Sequence, residues 1–439
     1  MSSDQQSEGT NPTRRDVIKA SAATSAAAMF AALGSNFAHA QGTDIIKVGL
    51  IGCGGRGSGA AGNCVEGAGL AGAKAEIYAL GDVFERQTKN MKEKYKVDSD
   101  KVFAGLDAYQ EVLNAGVNMV ILATPPGFRP IHFKAAVEAG KHIFFEKPIA
   151  VDPTGVRTVM EASKKAEEKK LAVVSGTQHR HEINYIDTIN KIHDGMIGDV
   201  LHMSVYWNGA GIWSRPRQPG MSDVEYQINN WYHYIWLCGD QICEQHIHNL
   251  DVANWVMGSH PISAYGMGGR QVRRDPGQIW DHFAIEYEYP NGGRVMSMCR
   301  HWPQSDDNVS EFVIGSKGTS DPGAWIQVRG EKRQNAPKST TGYVLEHRDL
   351  IKSMMEGKPL NEGQRVAEST LTAVMGRMSA YTGRKMYWDH ESAKAIGIKN
   401  WDKVPTAMES KLDTFPKNLD LKGSLPEPPV PMPDVEEPV

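Results

Sequence analysis

The sequence is short of cysteine. Five thiols (Cys53, Cys64, Cys238, Cys243 and Cys299) stand among 439 residues, an odd number without the paired spacing of a metal site. A disulfide framework is therefore excluded, although an oxidising compartment would permit one pair, and mostly free, buried thiols are expected. Charge of one sign is lacking too: 48 basic residues meet 52 acidic ones, for a formal net charge of −4. A general electrostatic grip on nucleic acid needs a basic surface, so no nucleic-acid partner is expected. Long hydrophobic runs are missing as well. The one extended apolar stretch, residues 20–33, is Ala-rich and shorter than a bilayer-spanning helix, so no stable membrane span is expected. With 40 % hydrophobic and 23 % charged residues, bulk disorder, collagen and coiled coil are excluded. The length suggests two or three domains. Glycine is plentiful, at 44, which suits many tight turns, and the 10 tryptophans could line a pocket.

The first forty residues read as an address. Thr13-Arg14-Arg15-Asp16-Val17-Ile18-Lys19 precedes the apolar stretch, and Ala38-His39-Ala40 closes it. A charged start, a short apolar middle and an Ala-x-Ala end make a secretory signal. The paired arginines resemble a twin-arginine signal, which implies the twin-arginine export machinery as a partner and a periplasmic location. Residues 1–42 are expected to be removed. Twin-arginine export carries folded proteins, which suits an enzyme that takes up its cofactor before leaving the cytoplasm.

From Ile45 the pattern changes. Short apolar runs at 45–51, 75–80, 119–124, 142–145 and 172–175 alternate with polar segments of helical period at 85–95, 131–139 and 154–169. Such alternation predicts a doubly wound parallel sheet. The first run leads directly into Gly52-Cys53-Gly54-Gly55-Arg56-Gly57. After a strand and before a helix, these glycines have separate tasks: a tight turn, close approach of a pyrophosphate, and close packing of helix on strand. The helix N-terminus offers free N–H groups to phosphate. The second run ends at Asp82, 25 residues after Gly57, where a carboxylate can accept both hydroxyls of an adenosine ribose. It would repel a 2′-phosphate, so NAD is favoured, with nearby Arg86 leaving NADP as the alternative. The third run ends in Thr124-Pro125-Pro126, at the end of the sheet where ligands bind.

The fourth run ends in Phe145-Glu146-Lys147-Pro148. With the glycine turn, Asp82, Asp107-Ala108-Tyr109, Ile197-Gly198 and Thr382-Gly383-Arg384 in this order, residues 47–389 resemble the Gfo/Idh/MocA family (glucose–fructose oxidoreductase and inositol dehydrogenase). The resemblance implies an α/β protein: an N-terminal Rossmann dinucleotide-binding domain, then a C-terminal α/β domain with an open, mostly antiparallel sheet often used for oligomerisation. A homo-oligomer, dimer or tetramer, is expected. The domains are placed at 43–170 and 171–390, with a helical return over 345–355 and 365–381 and an extended Pro-rich tail over 391–439. β-rich runs near 200–207, 262–267, 283–289, 295–300 and 312–314, and a hairpin signal at Asn291-Gly292-Gly293, agree with a second sheet.

In this family the lysine of Glu-Lys-Pro lies near nicotinamide and substrate, which assigns Lys147 as the cation that steadies the reacting oxygen. Gly52, Gly54, Gly55, Arg56, Gly57, Asp82, Thr124, Pro125, Glu146 and Lys147 are the candidate cofactor residues. Family members commonly carry Asp, His and Asp spaced by four and three on one helix. Here the positions are Glu244, His248 and Asp251, the first a departure. His248 is the candidate base, with a pKa expected near working pH, and Glu244 would orient it or contact substrate. His246 adds an imidazole, but residues two apart on a helix face different ways, so no metal ligand set is assigned. Gln178-His179-Arg180 and the aromatic run Trp231-Tyr232-His233-Tyr234 have the composition of a carbohydrate site. Gln178, His179, Arg180, Trp231, Tyr232, Tyr234 and His246 are the candidate substrate contacts.

The expected function is an exported NAD(P)-dependent oxidoreductase that moves hydride between nicotinamide and a sugar or polyol hydroxyl, with the cofactor tightly bound. Two other readings use the same residues: an NAD-dependent glycosidase working by transient oxidation, elimination, hydration and reduction, and a non-catalytic sugar-binding protein.

Overall fold

The computed structural model describes residues 45–431. The export signal expected over 1–42 and the last eight residues of the expected tail lie outside the described residues.

Apolar runs that are bounded by glycine bury both faces when they pair in parallel. Six of them form the first sheet: β1 (Ile46–Ile51), β2 (Ala75–Asp82), β3 (Val102–Ala104), β4 (Met119–Leu122), β5 (His142–Phe145) and β6 (Val173–Ser175). Their order is β3-β2-β1-β4-β5-β6, all parallel. The short β3 carries no apolar run that would announce it, and β6 takes the sheet past residue 170. Alternate residues feed two cores. Val48, Leu50, Ile121 and Phe144 face the helix Gly55–Leu70 together with Leu350 and Ile351 of the helix Gly342–Met355. Ile51, Val120, Leu122 and Phe145 face Phe133 and Val137 of the helix Arg129–Glu138, and Val156 of the helix Pro153–Glu168. The sheet therefore reverses its strand order between β1 and β4, which opens a crevice beyond their carboxyl ends.

The second sheet holds β7 (Val200–Gly209), β8 (Ser263–Gly269), β9 (His282–Glu288), β10 (Arg294–His301), β11 (Asn308–Gly315), β12 (Gly318–Asp321), β13 (Trp325–Val328), β14 (Gln334–Asn335) and β15 (Met386–Tyr387). Its order is β14-β13-β12-β11-β7-β10-β9-β8-β15. All pairs are antiparallel except β7 with β10. The chain is α/β, with a parallel Rossmann sheet followed by a mixed, mostly antiparallel one. The helices Ile247–Met257 and Gly363–Thr382 lie on the inner face of the second sheet and carry the site toward the crevice.

The expectation of one helix through Glu244, His248 and Asp251 is corrected. A short helix, Gln241–Glu244, ends, and a new one starts at Ile247. The break lies at Gln245-His246, where His246 N bonds the Gln241 carbonyl at 3.2 Å and His248 N the Gln245 carbonyl at 3.4 Å, so the regular i→i−4 ladder is interrupted.

Candidate active site

The glycine turn sits at the head of the crevice. Gly52 has φ 97°, and a Cβ there would lie 2.6 Å from the backbone of Ala123 and Thr124. A Cβ on Gly57 would lie 1.8 Å from the Gly52 carbonyl oxygen, so helix and strand meet with nothing between them. Gly54 and Gly55 are the opposite case: a Cβ on either meets nothing within 4 Å. Open space therefore faces the start of the helix Gly55–Leu70, whose N-terminus carries no side-chain cap. Uncapped N–H groups and free volume are what a pyrophosphate needs. Asp82 closes the other side. Its carboxylate accepts from Cys53 N at 2.7 Å and Phe84 N at 2.9 Å, and burial raises its pKa. These residues fit a dinucleotide such as NAD.

Arg56, Thr124 and Glu146 join the strand ends. The Arg56 guanidinium donates to Glu146 and lies 3.5 Å from Oε1 of Glu346. Arg129, almost fully buried, donates to the carbonyls of Thr124 and Glu146 and so ties the end of β4 to the end of β5. Thr124 Oγ1 pairs with His132 Nδ1 at 3.1 Å, and Pro125 opens a short turn at the mouth.

Lys147 follows β5. Its Nζ donates to Oε1 of Glu244 at 2.9 Å and to the Glu244 carbonyl. Glu244 thus holds the lysine, and its second oxygen, Oε2, is buried without a partner. His248 lies in the same electrostatic neighbourhood, its ring stacked on Trp207 (centroids 5.8 Å apart, 28°) and edge-on to His179 at 6.0 Å. The expectation of a pKa near working pH is corrected. Burial, with the cations Lys147 and His179 beside it, holds His248 well below the ordinary imidazole value. It is a neutral imidazole whose Nδ1 has no partner, and a neutral imidazole can accept a proton.

Several candidate substrate contacts are spoken for. Arg180 Nε donates to Oδ2 of Asp251 at 2.8 Å, and Arg365 and Ser369 also bond Asp251, at 3.0 and 2.7 Å. Against burial, the two guanidiniums hold this carboxyl well below its usual range. Arg180 and Asp251 therefore brace the helix Ile247–Met257. His246 is fully buried with Nε2 2.8 Å from Ser297 Oγ. Tyr234 is fully buried against the tail and donates to Oε1 of Glu427 at 2.8 Å. The Tyr232 hydroxyl pairs with His301 Nε2 at 3.1 Å, inside the core. The aromatic run is divided between two cores, Tyr232 packing in the large one and Tyr234 with Trp236 in the small one. Trp231, half-buried, stays at the rim beside Trp213. Gln178 is buried with Oε1 unpartnered. His179 stays beside His248, its Nδ1 2.9 Å from Oε2 of Glu182. Burial works against its charge, but the Glu182 hydrogen bond raises its pKa overall.

One residue without a sequence signature joins this wall. Glu311 on β11 is buried, receives Asn249 Nδ2 at 2.7 Å and Tyr185 Oη at 3.3 Å, and has its pKa raised by burial. Its place two residues before the fully buried Val313 was the one available sign, since period two puts both on the inner face. Among the described residues no group of three or more His, Cys, Asp or Glu could hold a metal ion, and all five thiols are free and buried.

A family model described as an oxidoreductase family with an NAD-binding Rossmann fold, GFO_IDH_MocA, matches residues 46–175, and a GFO/IDH/MocA C-terminal domain model matches 188–321. The chain belongs to the Gfo/Idh/MocA oxidoreductase family. A myo-inositol 2-dehydrogenase of Thermotoga maritima is 25 % identical over 249 residues, which cover 56 % of this Gfo/Idh/MocA chain and 66 % of that protein. A glycosyl hydrolase family 109 protein of Shewanella sp. strain ANA-3 is 28 % identical over 243 residues, covering 50 % of this chain and 49 % of its own. The chain thus spans just under two thirds of the first relative and about half of the second. A levoglucosan dehydrogenase solved with NADH and levoglucosan covers 78 % of this chain and 99 % of its own, with a TM-score of 0.61 at 15 % identity, which shows a shared fold.

Proposed function

We propose that this Gfo/Idh/MocA oxidoreductase moves hydride between NAD and a hydroxyl of a sugar or sugar-like polyol. The observation that carries the reading is the convergence of Lys147, Glu244 and His248 beyond β5, beside a glycine turn with open space before an uncapped helix end. When bound, NAD supplies a hydride acceptor at nicotinamide C4. The helix end and Asp82 bind and orient the dinucleotide. The Lys147 ammonium, steadied by Glu244, lowers the cost of negative charge on the substrate oxygen. The neutral His248 takes the hydroxyl proton on an imidazole nitrogen. Trp207, stacked on His248, offers an aromatic face to sugar C–H groups.

The test is spectroscopic. Untreated protein is denatured and its released nucleotide identified by mass spectrometry, and polyols and sugars are screened for NADH absorbance. Nucleotide in the supernatant and turnover that disappears in Lys147→Ala support the reading; an NAD-free protein with turnover unaffected by Lys147→Ala sinks it.

The relationship to a glycosyl hydrolase family 109 protein supports a second reading, the redox glycosidase. Aglycone released from a glycoside with no net NADH would favour it over the dehydrogenase.

Export through the twin-arginine route to the periplasm, with the cofactor held tightly, is part of the proposal and rests on the N-terminal sequence. Among the described residues no helix is long and apolar enough to cross a membrane. Assembly into a homo-oligomer is proposed through the outer face of the second sheet. Strand register sets Met267, Ala284, Met298 and Tyr206 in one row, and Tyr265, Glu286, Met296, Ser204 and Phe312 in the next. Met267 is 70 % and Tyr265 57 % exposed, more apolar surface than an isolated sheet face leaves in water.

A further inference from the structure

The last part of the described chain holds little regular structure, yet it is packed. Phe415 sets its ring edge-on to Phe128 at 5.4 Å and to Trp236 at 5.7 Å. Leu419, Leu421 and Leu425 join the same small core. Hydrogen bonds run along the path: Thr414 N to Asp152 Oδ2 at 2.8 Å, Ser222 Oγ to the Leu421 carbonyl at 2.6 Å, Gln227 Nε2 to the Leu425 carbonyl at 2.6 Å, and Trp280 Nε1 to the Pro431 carbonyl at 2.9 Å. The tail is laid over the segment 223–238 and fastened at both ends.

Beneath that segment lie the two loops that flank the adenosine side of a Rossmann crevice. Val83 and Phe84, which follow Asp82, belong to the same core as Phe415. Gly127, three residues after Thr124, is pressed so closely on the Trp236 carbonyl that a Cβ would lie 2.1 Å from it. Arg86 Nη2 donates to Asn229 Oδ1 at 2.7 Å, and Arg215 Nη1 donates to the Asn229 carbonyl at 3.0 Å. Both walls of the adenosine pocket are therefore held from outside by one strapped unit.

We propose that residues 223–238, fastened down by residues 413–431, form a clamp on the adenosine end of the bound dinucleotide, so that the nucleotide leaves only when the tail lifts. The proposal rests on the NAD reading above and deepens it, because it assigns tight retention to named residues. Lifting the tail would expose Phe415 and the three leucines to water and break the hydrogen bonds that fasten it, which makes opening rare and release slow.

The experiment uses the full chain. NADH dissociation is followed by its fluorescence, and nucleotide in untreated protein is counted by mass spectrometry. Phe415→Ala is expected to release NADH about tenfold faster or more and to purify with less nucleotide, since interface losses fall mainly on the dissociation rate. Asn229→Ala, which cuts the Arg86 tie and leaves the tail seated, is expected to move release in the same direction if Phe415→Ala does not fold. Val313→Ala, in the core of the second sheet, is the control: it should lower the melting temperature and leave NADH release unchanged. Wild-type protein that binds NADH while both folded variants release it at the wild-type rate overturns the clamp alone. Wild-type protein that binds no NADH overturns the NAD reading and the clamp with it.

Discussion

Lys147 Nζ lies 2.9 Å from Oε1 of Glu244, joining the end of a Rossmann strand to a turn of the second domain. Neither residue is positioned by its own domain alone. Replacing Lys147 with Ala should lower turnover about a hundredfold to a thousandfold, the scale for one preorganised donor to a developing oxyanion. Bound nucleotide should change little. Glu244→Gln keeps a hydrogen-bond acceptor for Lys147 and should cost less. Steady-state NADH formation, with nucleotide content as the companion measurement, checks both.

The glycines of the turn should separate folding from binding. Gly57→Ala puts a Cβ 1.8 Å from the Gly52 carbonyl oxygen, and should destabilise the chain by at least the ~1–3 kcal/mol of an overpacked core. Gly54→Ala meets no protein atom within 4 Å and has φ −69°, so its melting temperature should stay near wild type. Its methyl group instead enters the space before the helix end and should weaken NADH binding. Thermal melts and a fluorescence titration distinguish the two outcomes.

Asp251 anchors Arg180, Arg365 and Ser369. Asp251→Asn leaves the largely buried Arg180 without its counter-charge, while Arg365 keeps Glu362 at 2.8 Å, and should cost about 3–5 kcal/mol in denaturant unfolding. Arg180→Ala should likewise appear as lost stability. A folded Arg180→Ala protein with native stability and only a raised KM would restore Arg180 to the substrate site.

Acid should unfold this protein from below about pH 6.5, the ordinary imidazole pKa. Burial lowers His132 and His246 to about 3 and His142 to about 4. The unfolded chain takes up these protons as pH falls through 6.5, and the folded chain refuses them until much lower pH. Their contribution is complete above pH 6.5 and drains away on acidification, at about 1.4 kcal/mol per pH unit for each histidine. His181 runs the other way. Against burial, hydrogen bonds to Asp349 and Glu362 raise it to about 9, so its contribution is full below pH 6.5 and is lost as pH rises through 9. Unfolding free energy measured from pH 7.5 to 5 should fall, and His246→Gln should flatten the slope by one proton.

The first domain follows from patterns local to the sequence. Apolar runs, a glycine turn and Asp82 state local requirements, because a buried parallel strand and a phosphate-binding turn each need particular residues within a few positions of one another. Lys147 was legible for the same reason, through Glu146 and Pro148 beside it. The tertiary structure alone decided what the second half of the site is made of. Spacing placed Glu244, His248 and Asp251 on one helical face, but the helix breaks at Gln245-His246, Asp251 turns to Arg180 and Arg365, and Glu244 turns to Lys147. The aromatic run 231–236 was indistinguishable in composition from a sugar platform. Only its neighbours, His301, Glu427 and Phe415, show that most of it is core. Charge pairing and burial depend on residues from 69 to 193 positions away, and no local pattern can report which partner wins.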